Sequence, residues 1–562
     1  MCSMSIVQLI FSMVIVVWRV HGIDESSFED TLEKCKPSQV HISYGRLTTE
    51  MVIMWSTAGQ CSTAVKYGVD PWKLDQLASG ESLMFNDNTV GLKVLHRVEL
   101  RLLMPNKTYF YTPVSDEISG ATNFFRTPAS NGTPDVQLMI ISDVNTTSTA
   151  IHRLLLEAQT GKYAALLHTG NIAMNLSTHG GLNGDNYMKL MEPAICSVPY
   201  MVSPGPAEVE EQETFSQYLH RFSMPETEWP ISVDKMWYSV DIGPVHLISY
   251  STEVFYTKDG RYASMQHDWL IKDLKLANLN RKNTPWVVAF GHKPLYCTYE
   301  DPELFCNKKI SKVKSGLEDI FYHYGVDIII QSYGGAYERT FPMYKGVQVS
   351  DNYTDPLGPV HIICGGASQF NIDYNFTEPA PAWSAFRLSN DTMLTYGRLN
   401  IVNGSILDYE QVNIKDGSIV DSLRIVQGNH GQFSTASLPP NVSAEIDKEI
   451  VDAGGKPGIL NIEEINVTTP KSKIAELLEG DNRNRIIIGA SCGGFFLLVI
   501  IAVVATKKCR RKSKVARRWE QMDINYGKKF YSKAPDKDED NDFEIDMSDG
   551  TEPTRKLLNA AD

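Results

Sequence analysis

The chain has 562 residues, a formal net charge of −14, and 43% hydrophobic, 10% aromatic and 21% charged residues. That length exceeds what one hydrophobic core usually spans, so a single compact domain is excluded and two or three are expected. The composition excludes a wholly disordered chain, and the acidic balance excludes a nucleic-acid footprint spread over the surface, so no nucleic-acid partner is expected.

Residues 6–18 form a largely apolar run too short to cross a bilayer, followed by Val20-His21-Gly22 with compact residues where cleavage would fall. Residues 1–22 therefore read as a signal peptide. Between residues 23 and 128 the pattern is of short alternating strands. Val52-Ile53-Met54-Trp55 and Val98-Glu99-Leu100-Arg101-Leu102 are two of them, and Pro105 to Tyr111 reads as a turn into a strand with the look of a tyrosine corner. This predicts a small fibronectin-like β-sandwich.

After a Pro-Ala-Ser-Asn-Gly-Thr-Pro linker the texture changes, and residues 134–427 read as an α/β domain. The segments 136–141, 164–167, 245–249, 287–290, 326–330 and 360–363 are apolar throughout or nearly so, as strands buried on both faces are. Ile151, Leu154, Leu155 and Ala158 share one face of a helix that Ser148 or Thr149 would open. Ligands of such sheets gather beyond the carboxyl ends of the strands.

Residues 428–485 are rich in Asn, Pro, Ser, Glu and Gly and read as a stalk. Residues 486–506 form an uncharged run of twenty-one, about 31 Å as a helix. Eight Lys and Arg crowd the twelve residues after it, the asymmetry that holds the tail, residues 507–562, in the cytoplasm. A type I membrane glycoprotein follows, at the plasma membrane or the endolysosomal membrane. Gly489 and Gly493 offer a close helix contact for a homodimer.

Ten Asn-x-Ser/Thr acceptors, Asn106, Asn131, Asn145, Asn175, Asn352, Asn375, Asn390, Asn403, Asn441 and Asn466, all precede the membrane segment, which predicts N-glycans on the outer portion. Six cysteines lie on that side, enough for up to three disulfides. Cys297 and Cys306 bracket a short loop and are the preferred pair.

Over residues 36–426 the chain resembles purple acid phosphatases. The resemblance is carried by Gln39-Val-His-Ile-Ser-Tyr-Gly45, Phe222-Ser-Met-Pro225, Trp237-Tyr-Ser239, Gly291-His-Lys-Pro294, Tyr337-Glu-Arg339, Gly358-Pro-Val-His-Ile-Ile363 and Ala382-Trp-Ser-Ala385. It implies a fibronectin-like sandwich followed by an α/β/β/α metallophosphoesterase domain; with the stalk and one transmembrane helix read from composition and hydropathy, the expected fold class is α+β multidomain. The resemblance also implies two metals, iron with zinc, manganese or a second iron, held by seven side chains at the strand ends.

Residue by residue, the match to those ligands fails at most positions. The family's Gly-Asp-x-Gly reads Ser142-Asp143-Val144-Asn145, which keeps the carboxylate. Its Gly-Asp-x-x-Tyr reads Gly170-Asn171-Ile172-Ala173-Met174, so the bridging carboxylate is an amide and the phenolate a thioether. Its Gly-Asn-His-Glu reads Gly205-Pro206-Ala207-Glu208, which leaves Ala207 at the catalytic acid position. Gly291-His292 keeps one imidazole, but Tyr333 and Gly335 stand where the last two histidines belong. Asp143, Asn171 and His292 are thus remnants, with ligands lost at Met174, Pro206, Tyr333 and Gly335. Two cations need anionic ligands to offset their repulsion, so no cofactor and no catalytic residue are expected here.

Two features bear on that expectation. His168, His179, Asp185, Glu208, Glu210, Glu211 and Glu213 lie near enough in sequence to rebuild a site, though each also reads as an ordinary solvated loop residue. Sequons at Asn145 and Asn175 would place glycans at the pocket rim. The reading is a binding or receptor-like module with an unknown protein or carbohydrate ligand. The alternatives are an active acid phosphatase with a rebuilt or mononuclear site, and a structural coat glycoprotein.

Overall fold

The computed structural model describes residues 33–85, 93–129, 135–299, 311–332, 334–368, 376–388 and 393–452. The expected signal peptide, membrane segment and tail lie outside them, as do Cys306, Tyr333, Asn131, Asn375, Asn390 and Asn466. Among the described residues no helix is long and apolar enough to cross a membrane.

The first part is a β-sandwich. One sheet runs Ser38–Tyr44, Met51–Thr57, Lys93–Leu100 and Glu81–Phe85, and the other is built around Ala64–Gly68 and Thr108–Ser115. The backbone N–H of Met104 donates to the Tyr109 hydroxyl at 2.9 Å, the bond the turn sequence anticipates. A disulfide joins Cys35 to Cys61. Cys297 is also disulfide-bonded, whereas Cys196 and Cys364 are buried free thiols, so the outer cysteines fall short of three bridges.

The second part contains two sheets. A six-stranded sheet is ordered Tyr200–Val202, Tyr163–His168, Val136–Ile141, Thr395–Asn403, Ile406–Asn413, Ile419–Val426. A seven-stranded sheet is ordered Tyr238–Ile242, Val245–Ser249, Trp286–Phe290, Ile328–Gln331, Val360–Cys364, Tyr337–Thr340, Ser384–Leu388. Side chains alternate along a strand, and the alternation here separates two cores. Trp286, Val288 and Phe290 join Leu138, Ile140 and Leu399 of the other sheet, while Val287 and Ala289 meet Leu270, Ile271 and Leu274 of helix Arg261–Leu279 and Leu317 and Phe321 of helix Lys312–His323. Strands enclosed on both faces show no hydrophobic alternation, which is why their sequences read as unbroken apolar runs.

Two expectations are corrected. Helix Ile151–Ala158 buries the four predicted residues, but its N-cap is Ala150, and Ser148 instead accepts a hydrogen bond from the Ala150 N–H. The stalk does not begin at residue 428. Helix Pro440–Asp452 buries Ile446 among Tyr322, Tyr344, Val347 and Phe433, so this stretch belongs to the folded body.

Helix Arg261–Leu279 is also tied to its sheet by charge. His246 donates to Asp241 at 2.7 Å and to Asp273 at 2.9 Å. Burial works against the imidazolium, yet Asp273 and Asp241 raise its pKa to about 9. A pKa raised on folding contributes stability that is full below the unfolded value near 6.5 and is lost as pH rises through about 9. His246→Gln is expected to cost roughly 2–4 kcal/mol at mildly acidic pH. Urea denaturation should show the gap from wild type closing above that upper pKa; a gap independent of pH would contradict the assignment.

Candidate functional site at the strand ends

The carboxyl ends of strands from both sheets converge on one polar cluster. Asp143 follows Val136–Ile141, Asn171 follows Tyr163–His168, Gly205 follows Tyr200–Val202, His292 follows Trp286–Phe290, and Ser332 follows Ile328–Gln331. Asp143 and Asn171 both adopt the left-handed conformation, with φ of 54° and 55°. Asp and Asn are the side chains that tolerate it best, so exchanging one for the other at 171 preserves the loop.

Asp143 is 0% exposed and its oxygens are occupied. Oδ1 accepts from Asn171 Nδ2 at 2.6 Å, and Oδ2 accepts from the hydroxyls of Ser142 at 2.9 Å and Ser332 at 2.7 Å. The Asn171 amide is oriented from its other side, because the Ala207 N–H donates to Asn171 Oδ1 at 2.9 Å. Its NH2 therefore faces the carboxylate, where the resemblance places a bridging oxygen.

Glu208, read from the sequence as a solvated loop charge, is 2% exposed. Its Oε2 accepts from the backbone N–H of Gly205 at 2.7 Å and of Asn171 at 2.9 Å, and its Oε1 from that of Ile172 at 2.8 Å. Burial pushes its pKa up to about 8 against the pull of those three N–H groups. It pins the two loops that carry Asn171 and Ala207 to each other.

His292 is also 0% exposed and donates from Nδ1 to the Thr169 carbonyl at 2.7 Å. Burial holds its pKa below the ordinary value despite the nearby Asp143 and Glu253. The loops close on its ring: a Cβ at Gly170 or at Gly205 would come within 2.8 Å or 2.9 Å of ring atoms. Gly170 also has φ of 97°, so it is held to glycine by conformation as well.

The remaining sequence candidates do not assemble into a second ligand set. Asp185 pairs with Arg221 and Lys93, away from the cluster. Glu210 accepts from the N–H groups of Ser216 and Gln217, Glu213 accepts from that of Lys258, and His179 is exposed. His168 is buried against the Tyr200 hydroxyl at 2.5 Å. Met174 is half-buried after the short turn from Ile172, and Pro206, Ala207 and Gly335 supply no side-chain donor. Among the described residues, no three His, Cys, Asp or Glu around the cluster bring ligand atoms within 4.8 Å of one another. Sequence reasoning missed Ser142 and Ser332. Their signal was hydroxyls standing next to, and across from, the surviving carboxylate.

Three family models match. The purple acid phosphatase N-terminal domain covers residues 37–127, calcineurin-like phosphoesterase covers 136–332, and iron/zinc purple acid phosphatase-like protein C covers 358–422. The chain is 37% identical over 384 residues to acid phosphatase type 7 of Homo sapiens, spanning 65% of this chain and 85% of that protein. It is 31% identical over 376 residues to purple acid phosphatase 22 of Arabidopsis thaliana, spanning 66% and 80%. The solved purple acid phosphatase PPD1 of yellow lupin (Lupinus luteus) superposes with a TM-score of 0.60 at 20% identity over 70% of this chain and 74% of that one, a likeness of fold.

These matches correct the expectation that no cofactor belongs to the site. A C-terminal model described as iron/zinc purple acid phosphatase-like makes a metal cofactor part of the family's chemistry. The donors present, one hydrogen-bonded carboxylate, one imidazole and an amide turned by its NH2 toward the carboxylate, do not fit a bridged pair of cations, and no reaction step is assigned through one. On its sequence over 85% of a curated relative and on its sandwich and two-sheet architecture, the chain belongs to the purple acid phosphatase family.

Proposed function

We propose that this member of the family works as a binding or receptor-like module on the phosphatase scaffold, with at most a residual phosphoester turnover that Asp143 does not support. It would be a type I membrane glycoprotein of the plasma or endolysosomal membrane. The observation that carries the reading is the state of Asp143: sealed from solvent, with both oxygens held by Asn171, Ser142 and Ser332. A carboxylate so engaged acts as a loop clamp. Ala207 at the general-acid position supports the same reading, since that role typically supplies 10²–10⁴-fold of rate.

The test is hydrolysis of a phosphate monoester at acid pH by the purified chain, supplied with iron, zinc or manganese and set beside an active relative. Turnover is expected to lie at least about 10²–10⁴-fold below that of the relative. Asp143→Asn should leave this residual rate unchanged while lowering thermal stability, because a new NH2 would face existing donors. The second reading, an acid phosphatase with a rebuilt or mononuclear site, draws on the 37% identity to a protein named acid phosphatase. Turnover abolished by Asp143→Asn would establish it.

A further inference from the structure

The two sequons beside the site are brought together in space by a residue outside both. Thr146, in the first sequon, donates from Oγ1 to Asn183 Oδ1 at 3.3 Å, and Asn183 donates from Nδ2 to the Asn175 carbonyl at 2.8 Å and to that of Ala173 at 2.9 Å. Asn145 stands two residues past Asp143, and Asn175 stands four past Asn171. The carbohydrate acceptors therefore flank the same loops whose side chains close over the cluster.

Each acceptor amide is also presented with one end engaged. Asn175 Oδ1 accepts from the Ser177 N–H at 2.8 Å and from the Ser177 hydroxyl at 2.7 Å. Asn145 Oδ1 accepts from the Thr147 N–H at 3.1 Å. With the oxygens turned inward, Nδ2 is the atom of each amide left for chemistry, and among the described residues neither Nδ2 makes a hydrogen bond. Both residues are half-buried, so their environment is a rim and not a core.

We infer that Asn145 and Asn175 are both N-glycosylated and that the paired glycans roof the strand-end loops. The reaction is transfer from a lipid-pyrophosphate-linked oligosaccharide of the secretory pathway. The Nδ2–C1 bond forms, the sugar C1–O bond breaks, the amide gives up one proton and the lipid pyrophosphate leaves. The roof denies a macromolecular phosphoester access to Asp143 and His292, so a protein partner must dock elsewhere on the body or on the sugars themselves. This inference rests on the proposed lumenal or extracellular placement of the ectodomain.

Intact-glycopeptide mass spectrometry on the full chain from a secreting eukaryotic host tests it. Glycan is expected on Asn145 and Asn175, with Thr147→Ala and Ser177→Ala each removing one glycan and its step in gel mobility; both keep the asparagine and so spare the fold. Glycan at any of the other eight acceptors with Asn145 or Asn175 bare would overturn the roof and leave the topology standing. A chain bare at all ten acceptors would overturn the topology and the roof together.

Discussion

Arg221→Met is expected to lower folding stability by about 3–5 kcal/mol, the typical cost of removing one partner from a buried charged network. Arg221 is 2% exposed at the end of helix Ser216–Arg221, and its guanidinium has four acceptors. It donates to Asp185 Oδ1 at 2.8 Å, Gln217 Oε1 at 2.6 Å, the Gly181 carbonyl at 3.0 Å and Gln39 Oε1 at 3.3 Å. Gln39 belongs to the sandwich and the other three to the α/β body, so one side chain fastens the two. Methionine fills similar volume but leaves the buried Asp185 with Lys93 as its remaining cation. Arg221→Lys should fall between, since an ammonium keeps the charge and loses the planar fork. Chemical denaturation followed by circular dichroism measures both variants; a loss under about 1 kcal/mol for Arg221→Met would show that the network is not what holds this seam.

The second large effect is expected at Glu208. Glu208→Ala strips the acceptor from three buried backbone N–H groups, those of Gly205, Asn171 and Ile172, each costing about 1–3 kcal/mol when left unpaired. A total of roughly 3–5 kcal/mol is expected after local relaxation. Glu208→Gln should recover only part of it, because its NH2 would confront donors. Hydrogen exchange should localise the damage: amide protection at Asn171 and Ile172 is lost well before that of strand Val136–Ile141. Uniform loss of protection across the body would mean that Glu208 acts through general packing instead.

How far the sequence could be read depended on whether burial leaves a pattern. Strands such as Val245–Ser249 and Val136–Ile141 are enclosed on both faces, and an apolar run bounded by turns announces that directly. The expectation of missing ligands at the strand ends came from a different source: each position is named by its place in a motif, and the residue type decides whether it can donate an electron pair. What escaped was the rewiring. Nothing in the spacing of Ser142 and Ser332 shows that both hydroxyls reach Asp143 Oδ2, since the contact depends on two strands from different sheets ending together. Glu208 sits in a run of acidic residues whose others are exposed or half-buried, and composition cannot single out the one turned inward. The folded helix at Pro440–Asp452 did leave a trace. Val442, Ile446 and Ile450 recur every four residues, an apolar stripe hidden by the polar residues around it.

The apolar interior does not stop where the sandwich ends. Val40, Ile42 and Trp55 belong to the same buried cluster as Tyr187, Tyr200 and Phe222, and Tyr44 and Tyr111 cross the boundary to bond the Ala164 and Cys196 carbonyls at 2.7 Å. Architecture and chemistry are therefore carried by different sets of positions. The pieces that keep this body upright lie along a broad seam, while the residues of the polar cluster sit on a few loop tips at the strand ends. The loop tips are thus free to vary in chemistry while the body stays standing.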